Sequence, residues 1–307
     1  MEDLRAALDR SFREEIGSGP SVSLFYLGEW RWVLEGPDAG LVEHERGIEL
    51  AARRGLVRFE EWGKAESLWM LFDAGRWDDL LARAAEVLRW DEEAGESQAG
   101  LLALTYAARV HVYRGDLEAA AADLDALLSR ARDILDELQV AAPSLVAAVE
   151  VLHAQGQLDR AMEVVEELRA ATEGVSADYR LAHLPSLARA CVAAGRGDLA
   201  RSMLVPATTA SHRQRWCRMA AEAILVEDDG DLEGAAARYQ EAATGMAEFG
   251  FVLEEGHAWL GLGRVLGRLG RDSAEPMDRA RAAFDRLGAS SLTAPAEDAA
   301  ADSGSHR

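Results

Sequence analysis

The chain has 307 residues, 49% of them hydrophobic, with 54 acidic and 33 basic side chains and a formal charge of −21. That length and apolar content suffice for a sizeable core, and the negative excess disfavours direct binding to nucleic-acid phosphates. No apolar run reaches the ~20 residues that cross a bilayer, and the opening MEDLRAALDR lacks the basic and apolar segments of a secretory signal.

Alanine, leucine, glutamate and arginine dominate and only 7 prolines interrupt them, which predicts a mostly helical protein. Two cysteines, Cys191 and Cys217, make no disulfide framework. They read as small buried apolar side chains of a cytoplasmic protein.

At the N-terminus, MEDLRAALDRSFREEI sets Leu4, Leu8, Phe12 and Ile16 on one helical stripe, predicting a capping helix over 1–20. It reads as the second half of a hairpin whose first half is missing, as in a chain cut from a longer one or one that begins with an improvised cap. Over 21–288 one signal then recurs: an apolar helical pattern, a glycine, and a second alanine-rich amphipathic pattern. LFDAGRWDDLLARAAEVL, VYRGDLEAAAADLDALL and LHAQGQLDRAMEVVEEL are examples.

The turn glycines are Gly36, Gly75, Gly115, Gly156, Gly195 or Gly197, Gly230 and Gly270, about 33 to 41 residues apart. Such a period fits two helices and their turns, the glycine ending the first in a left-handed conformation and an aspartate capping the second. Asp116, Asp198 and Asp231 stand at that capping place. A single hairpin cannot cover its own apolar face, so the hairpins must stack. The expected fold is all-α, a right-handed solenoid of about seven antiparallel helical hairpins, and the segment 289–307 reads as a disordered tail.

These repeats resemble tetratricopeptide repeats. In HAWLGLGRVLGRLG, Trp259, Leu262 and Gly263 fall where that motif places its aromatic, leucine and small residue; in GDLEGAAARYQEAA, Ala235, Tyr239 and Ala242 match its second helix. Ala120 and Ala161 take the small-residue place after their glycines, but Leu41 and Leu80 occupy it in the first two repeats. The period is usually near 40, against 34 for the motif, so the hairpins are longer and more divergent. The C-terminal EEGHAWLGLGRVLGRLGR is similar to the ends of large bacterial signalling regulators, in which such arrays follow an ATPase or nucleotide-cyclase module. No such module is visible, and its activity does not carry over.

Catalytic and metal motifs are missing from the sequence. There is no GxxxxGK[ST] phosphate loop, no Gly-x-Ser-x-Gly elbow and no HExxH pair, and the glycines from Gly261 to Gly267 lie inside a helical pattern. The stretch EDDGDLEGAA gathers four carboxylates around Gly230, but as a calcium loop it would begin at Leu225 and end at Ala236, so both end ligands are lacking. RGD at Arg114–Asp116 and Arg196–Asp198 reads as turn glycine plus cap. No cofactor or metal is called for.

The resemblance implies that the first helix of each hairpin lines a concave groove, with the sixth residue before the turn glycine pointing into it. That register holds Trp30, Trp69, Arg109, Glu150, Arg189, Ile224 and Arg264, with Tyr26, Trp62 and His257 nearby. Aromatic anchors at one end and arginines toward the other suit a peptide or protein segment. A second candidate is the basic run HRQRWCR, with His212, Arg213, Arg215 and Arg218, whose plainer reading is a solvated face paired to nearby acids. The expected function is a non-catalytic scaffold or regulatory arm binding a protein partner. The alternatives are a small-effector-sensing module, or the C-terminal part of a signalling ATPase, cyclase or transcriptional regulator.

Overall fold

The computed structural model describes residues 17–174, 178–204, 211–289 and Leu292. The capping helix expected over 1–20 falls outside these, apart from 17–20, as does the tail apart from Ala289 and Leu292. Ala289 is buried and Leu292 packs half-buried against the core, so packing extends past the expected boundary at 288.

Sixteen helices are present among the described residues and no strands. They are α1 (Gly19–Glu35), α2 (Pro37–Arg53), α3 (Val57–Asp73), α4 (Trp77–Ala94), α5 (Gln98–Arg114), α6 (Leu117–Ala122), α7 (Leu124–Asp133) and α8 (Leu138–Ala154). There follow α9 (Leu158–Ala171), α10 (Asp178–Leu181), α11 (Leu184–Ala193), α12 (Gly197–Met203), α13 (His212–Asp228), α14 (Leu232–Phe249), α15 (Val252–Arg268) and α16 (Ala274–Leu287).

Glycine sets the breaks. Gly36, Gly75, Gly115, Gly156, Gly195, Gly230 and Gly270 all have positive φ, a conformation that costs a side chain about 1 kcal/mol or more. Of the two candidates in AAGRGD, Gly195 makes the turn, whereas Gly197 is the first residue of α12. Asp116 and Asp231 cap α6 and α14 by accepting the Ala119 and Gly234 amides. Asp198 does not cap: it already lies in the first turn of α12 and pairs with Arg196 instead.

Each helix preceding a turn packs on the one following it, as α1 on α2, α3 on α4, α8 on α9, α13 on α14 and α15 on α16. A second set of contacts runs between the leading helices: α1 with α3, α3 with α5, α5 with α8, α8 with α11, α11 with α13 and α13 with α15. Helix α13 also packs on α1, so this inner row closes on itself. The sequences match the two roles. The inner helices α3 and α8 are buried nearly all round over LWMLFD and VAAPSLVAAVEVL, whereas α4 buries one stripe of Trp77, Leu80, Ala84 and Val87 and leaves the rest to solvent.

The closure brings chain segments together tightly. A Cβ on Gly36 would meet the Phe249 carbonyl oxygen at 2.4 Å, and one on Gly75 would meet Leu287 at 2.8 Å. Arg114, at the end of α5, donates to the Leu287 carbonyl. Gly36→Ala should therefore lower stability in urea unfolding by at least twice the loss caused by Gly55→Ala, about 1 kcal/mol, since Gly55 also has positive φ but open space around it. Equal losses would mean that the turn does not abut α14.

Candidate functional site

The inner row carries charge into its interior. Arg213 of α13 forks onto Asp73 of α3, with Nε to Oδ2 at 2.7 Å and Nη2 to Oδ1 at 3.2 Å. Arg109 of α5 forks onto Glu150 of α8 at 2.8 and 3.0 Å, and Arg189 of α11 onto Glu254 of α15 at 2.7 Å for both bonds. Except for the half-buried Arg189, all these side chains are buried. The remaining acceptor capacity is used as well: Trp32 Nε1 donates to Asp73 at 2.9 Å and Tyr113 to Glu150 at 2.9 Å. Rings cover the cations, the Arg213 guanidinium lying 4.6 Å from the Trp32 ring centre and that of Arg109 4.1 Å from Phe72.

Beside the Asp73–Arg213 pair is a half-open cavity of about 130 Å³. Helix α1 lends it Glu29, Trp32 and Val33, α3 lends Trp69, α5 Tyr106, and α8 Gln139 and Pro143. The far wall is Tyr179 of α10, His183 ahead of α11, and Ser211, Arg213 and Gln214 at the start of α13. Trp32 and Trp69 lie 5.7 Å apart with planes tilted by 36°. Pro143 sits inside α8 and has no amide to give, so the Gln139 carbonyl is denied its usual helical donor.

Two polar groups of this cavity are not satisfied from within. Trp69 is only 6% exposed and its Nε1 has no hydrogen-bond partner among the described residues. Glu29 has no ion-pair or hydrogen-bond partner among them either, and burial, with the neighbouring Glu66 carboxylate adding to it, raises its pKa to about 7. Glu66 itself receives the Gln139 amide at 3.0 Å and lies 3.5 Å from His44 Nε2. His183 is held well below the ordinary histidine range, first by burial and then by Arg109 and Arg213, so it is neutral. The arrangement thus offers ring faces, one N–H donor, and a carboxyl that exchanges its proton near neutrality.

The expected groove residues separate into several environments. Trp69 lines the cavity, while Arg109, Glu150 and Arg189 are consumed in the internal ion pairs, so they do not present free charge to a groove. Tyr26 and Trp30 are 56% and 50% exposed on α1, away from those pairs. Trp62 is half-buried beside Arg58 and Trp90 in a separate surface crevice. Ile224, His257 and Arg264 line another crevice of about 230 Å³ between α11, α13 and α15, where Arg264 pairs with Glu227. The basic run is dispersed by helical periodicity: His212 is exposed, Arg215 pairs with Glu241 and Arg218 with Glu222, while Arg213 turns inward to Asp73. Both cysteines are buried, and burial pushes each thiol up to about 12.

Sequence reasoning passed over Glu29, Trp32, Asp73 and Tyr106, and weighed His183 only as a base for Cys191, a pairing that eight residues of helix, about 12 Å, argue against. Glu29 adjoins the sixth-before-glycine register and Asp73 stands two before its glycine, so both were within sight of the pattern. The chain matches no known protein family and no curated protein. Among the described residues no three His, Cys, Asp or Glu side chains gather as metal ligands, and no helix is long and apolar enough to cross a membrane.

Asp73→Ala should cost about 3–5 kcal/mol in chemical unfolding, because it strands a buried guanidinium and the Trp32 N–H; the double change Asp73→Leu, Arg213→Met should recover most of it. A single-variant loss below about 1 kcal/mol would contradict the pairing. Glu29 tests the cavity wall by pH. Its folded pKa lies above the ordinary carboxyl value of 4.5, so its destabilising effect is absent below that value, grows as pH rises, and is complete above about 7. Glu29→Gln should therefore raise the melting temperature near pH 8 and leave it unchanged near pH 4; a pH-independent shift would contradict the raised pKa of this half-buried carboxyl.

Proposed function

We propose that the chain is a non-catalytic binding module, an array of seven helical hairpins of tetratricopeptide type curled tightly enough to hold a small effector in the cavity between α1, α3, α5, α8 and α13. The observation that carries this reading is the cavity with its ring walls and an unpartnered, buried Trp69 N–H. A buried donor left unsatisfied costs roughly 1–3 kcal/mol, which a ligand acceptor would restore.

The inner ion pairs weigh against an extended peptide along the concave side. To reach Arg109 or Arg189, a peptide carboxylate would have to displace Glu150 or Glu254 from bidentate pairs whose loss costs about 3–5 kcal/mol. The cavity demands no such exchange. Because its walls come from helices far apart in the chain, an effector bridging them would favour the closed curl over more open ones, the shift by which a cytoplasmic sensor reports its ligand.

A second reading has its own support. Tyr26 and Trp30 stand one helical turn apart on α1 and are both about half exposed, the arrangement of an anchor pair for a protein segment. The strong negative charge still disfavours nucleic acid as a partner.

A thermal-shift screen of small metabolites separates the two. The effector reading predicts compounds that raise the melting temperature with concentration, through a stabilisation of about 2.7 kcal/mol at a hundred times Kd, and that lose this effect in Tyr106→Ala. Stabilisation untouched by Tyr106→Ala would place the ligand elsewhere. A flat screen, with partner capture abolished by Tyr26→Ala and Trp30→Ala, would favour the protein-segment reading.

A further inference from the structure

On the reading that this cavity holds a ligand, its unmatched groups narrow the chemistry. We infer that the ligand is a small organic cation with an apolar, ring-like body, its ammonium head paired with Glu29 and a hydrogen-bond acceptor on its body meeting Trp69 Nε1.

The argument begins with how this interior treats carboxylates. Asp73, Glu150 and Glu254 each hold a guanidinium. Glu29 holds no cation among the described residues, and Glu66 beside it has only the Gln139 amide and, at 3.5 Å, His44 Nε2. The cavity wall therefore carries one carboxyl, Glu29, with Glu66 close behind it, and among the described residues it lacks the cation that Asp73, Glu150 and Glu254 have. A carboxyl short of its counterion keeps its proton to higher pH, which is the state burial and Glu66 impose on Glu29.

The same interior shows what a cation does here. Arg213 lies over Trp32, and Arg109 over Phe72. A ligand ammonium between Glu29 and the Trp69 and Tyr106 rings would repeat that arrangement of carboxylate on one side and π-face on the other. An anion fits poorly. Arg213, the cation of the far wall, already spends Nε and Nη2 on Asp73 and Nη1 on the Ala182 carbonyl. A wholly apolar ligand would leave the Trp69 N–H without an acceptor.

The pH behaviour follows from the groups around Glu29. These are His44 of α2 and Glu66 of α3 on its own side, Tyr106 of α5, and His183 and Arg213 across the cavity, with α8 presenting only Gln139 and Pro143. Of them His183 stays neutral and Arg213 stays paired. Glu29 changes its charge around pH 7, and a cation binds its ionised form.

The test is calorimetric titration of the full chain with three probes of one shape: para-methoxyphenethylammonium, the neutral para-methoxyphenethyl alcohol and the anionic para-methoxyphenylacetate. The ammonium should bind most tightly, and about tenfold more weakly near pH 6 than near pH 8, one unit either side of the Glu29 value of about 7. Glu29→Gln should remove both the preference for the cation and its pH dependence while circular dichroism stays unchanged. Trp69→Phe, which keeps a ring but deletes the donor, should weaken the ammonium about fivefold. Equal binding of the neutral probe, or a preference surviving in Glu29→Gln, overturns the cationic ligand and leaves the cavity reading standing. Failure of all three probes at millimolar concentration overturns both.

Discussion

A guanidinium or carboxylate withdrawn from water must find a partner of opposite charge, because the desolvation penalty of each ion is several kcal/mol. In the inner row that demand is met between helices. The Asp73–Arg213 pair joins α3 to α13 across 140 positions of sequence, and Arg189–Glu254 joins α11 to α15 across 65. Apolar packing alone would allow the row of leading helices many curvatures. The paired forks accept few, since each bidentate contact fixes both distance and orientation. They add little net stability compared with apolar replacements, so we read their contribution as selecting one closed arrangement of the row.

Closure and cavity are one consequence seen from two sides. Bringing α13 onto α1 seats Arg213 over Trp32 and against Asp73, and the space left between α1, α3, α5 and α8 is bounded in part by Trp32 and Arg213. The cavity is therefore not an indentation on a finished surface. Its far wall belongs to the element that closes the row, and among the described residues the Glu29 carboxyl and the Trp69 N–H find no partner there.

Local chemistry made much of the helical order legible in the sequence. The turn glycines adopt positive φ where the pattern puts them, and Asp116 and Asp231 cap as their spacing implies. The acids around Gly230 had no account in sequence. The structure supplies one, with Glu227 holding Arg264, Arg268 and the Tyr239 hydroxyl, and Asp228 and Asp229 meeting Arg201. Arg109 and Glu150 occupy equivalent register positions of adjacent repeats, so their pairing was readable in principle. The Asp73–Arg213 pair was not. It depends on how far the row curls, and curl accumulates from side-chain volumes at every helix contact, which no periodicity records. For the same reason Arg213 looked like one of a surface cluster, and the cavity lined by Glu29, Trp32 and Tyr106 stayed out of view.

Small-angle X-ray scattering from the full chain tests the closed row most directly. The wild type should give the compact profile calculated from the closed arrangement, and Asp73→Ala, under conditions where it remains helical, should give a longer maximum dimension. A wild-type profile fitting only an open, extended array, or an Asp73→Ala profile identical to the compact one, would contradict the claim that the buried pair holds α13 against the N-terminal helices.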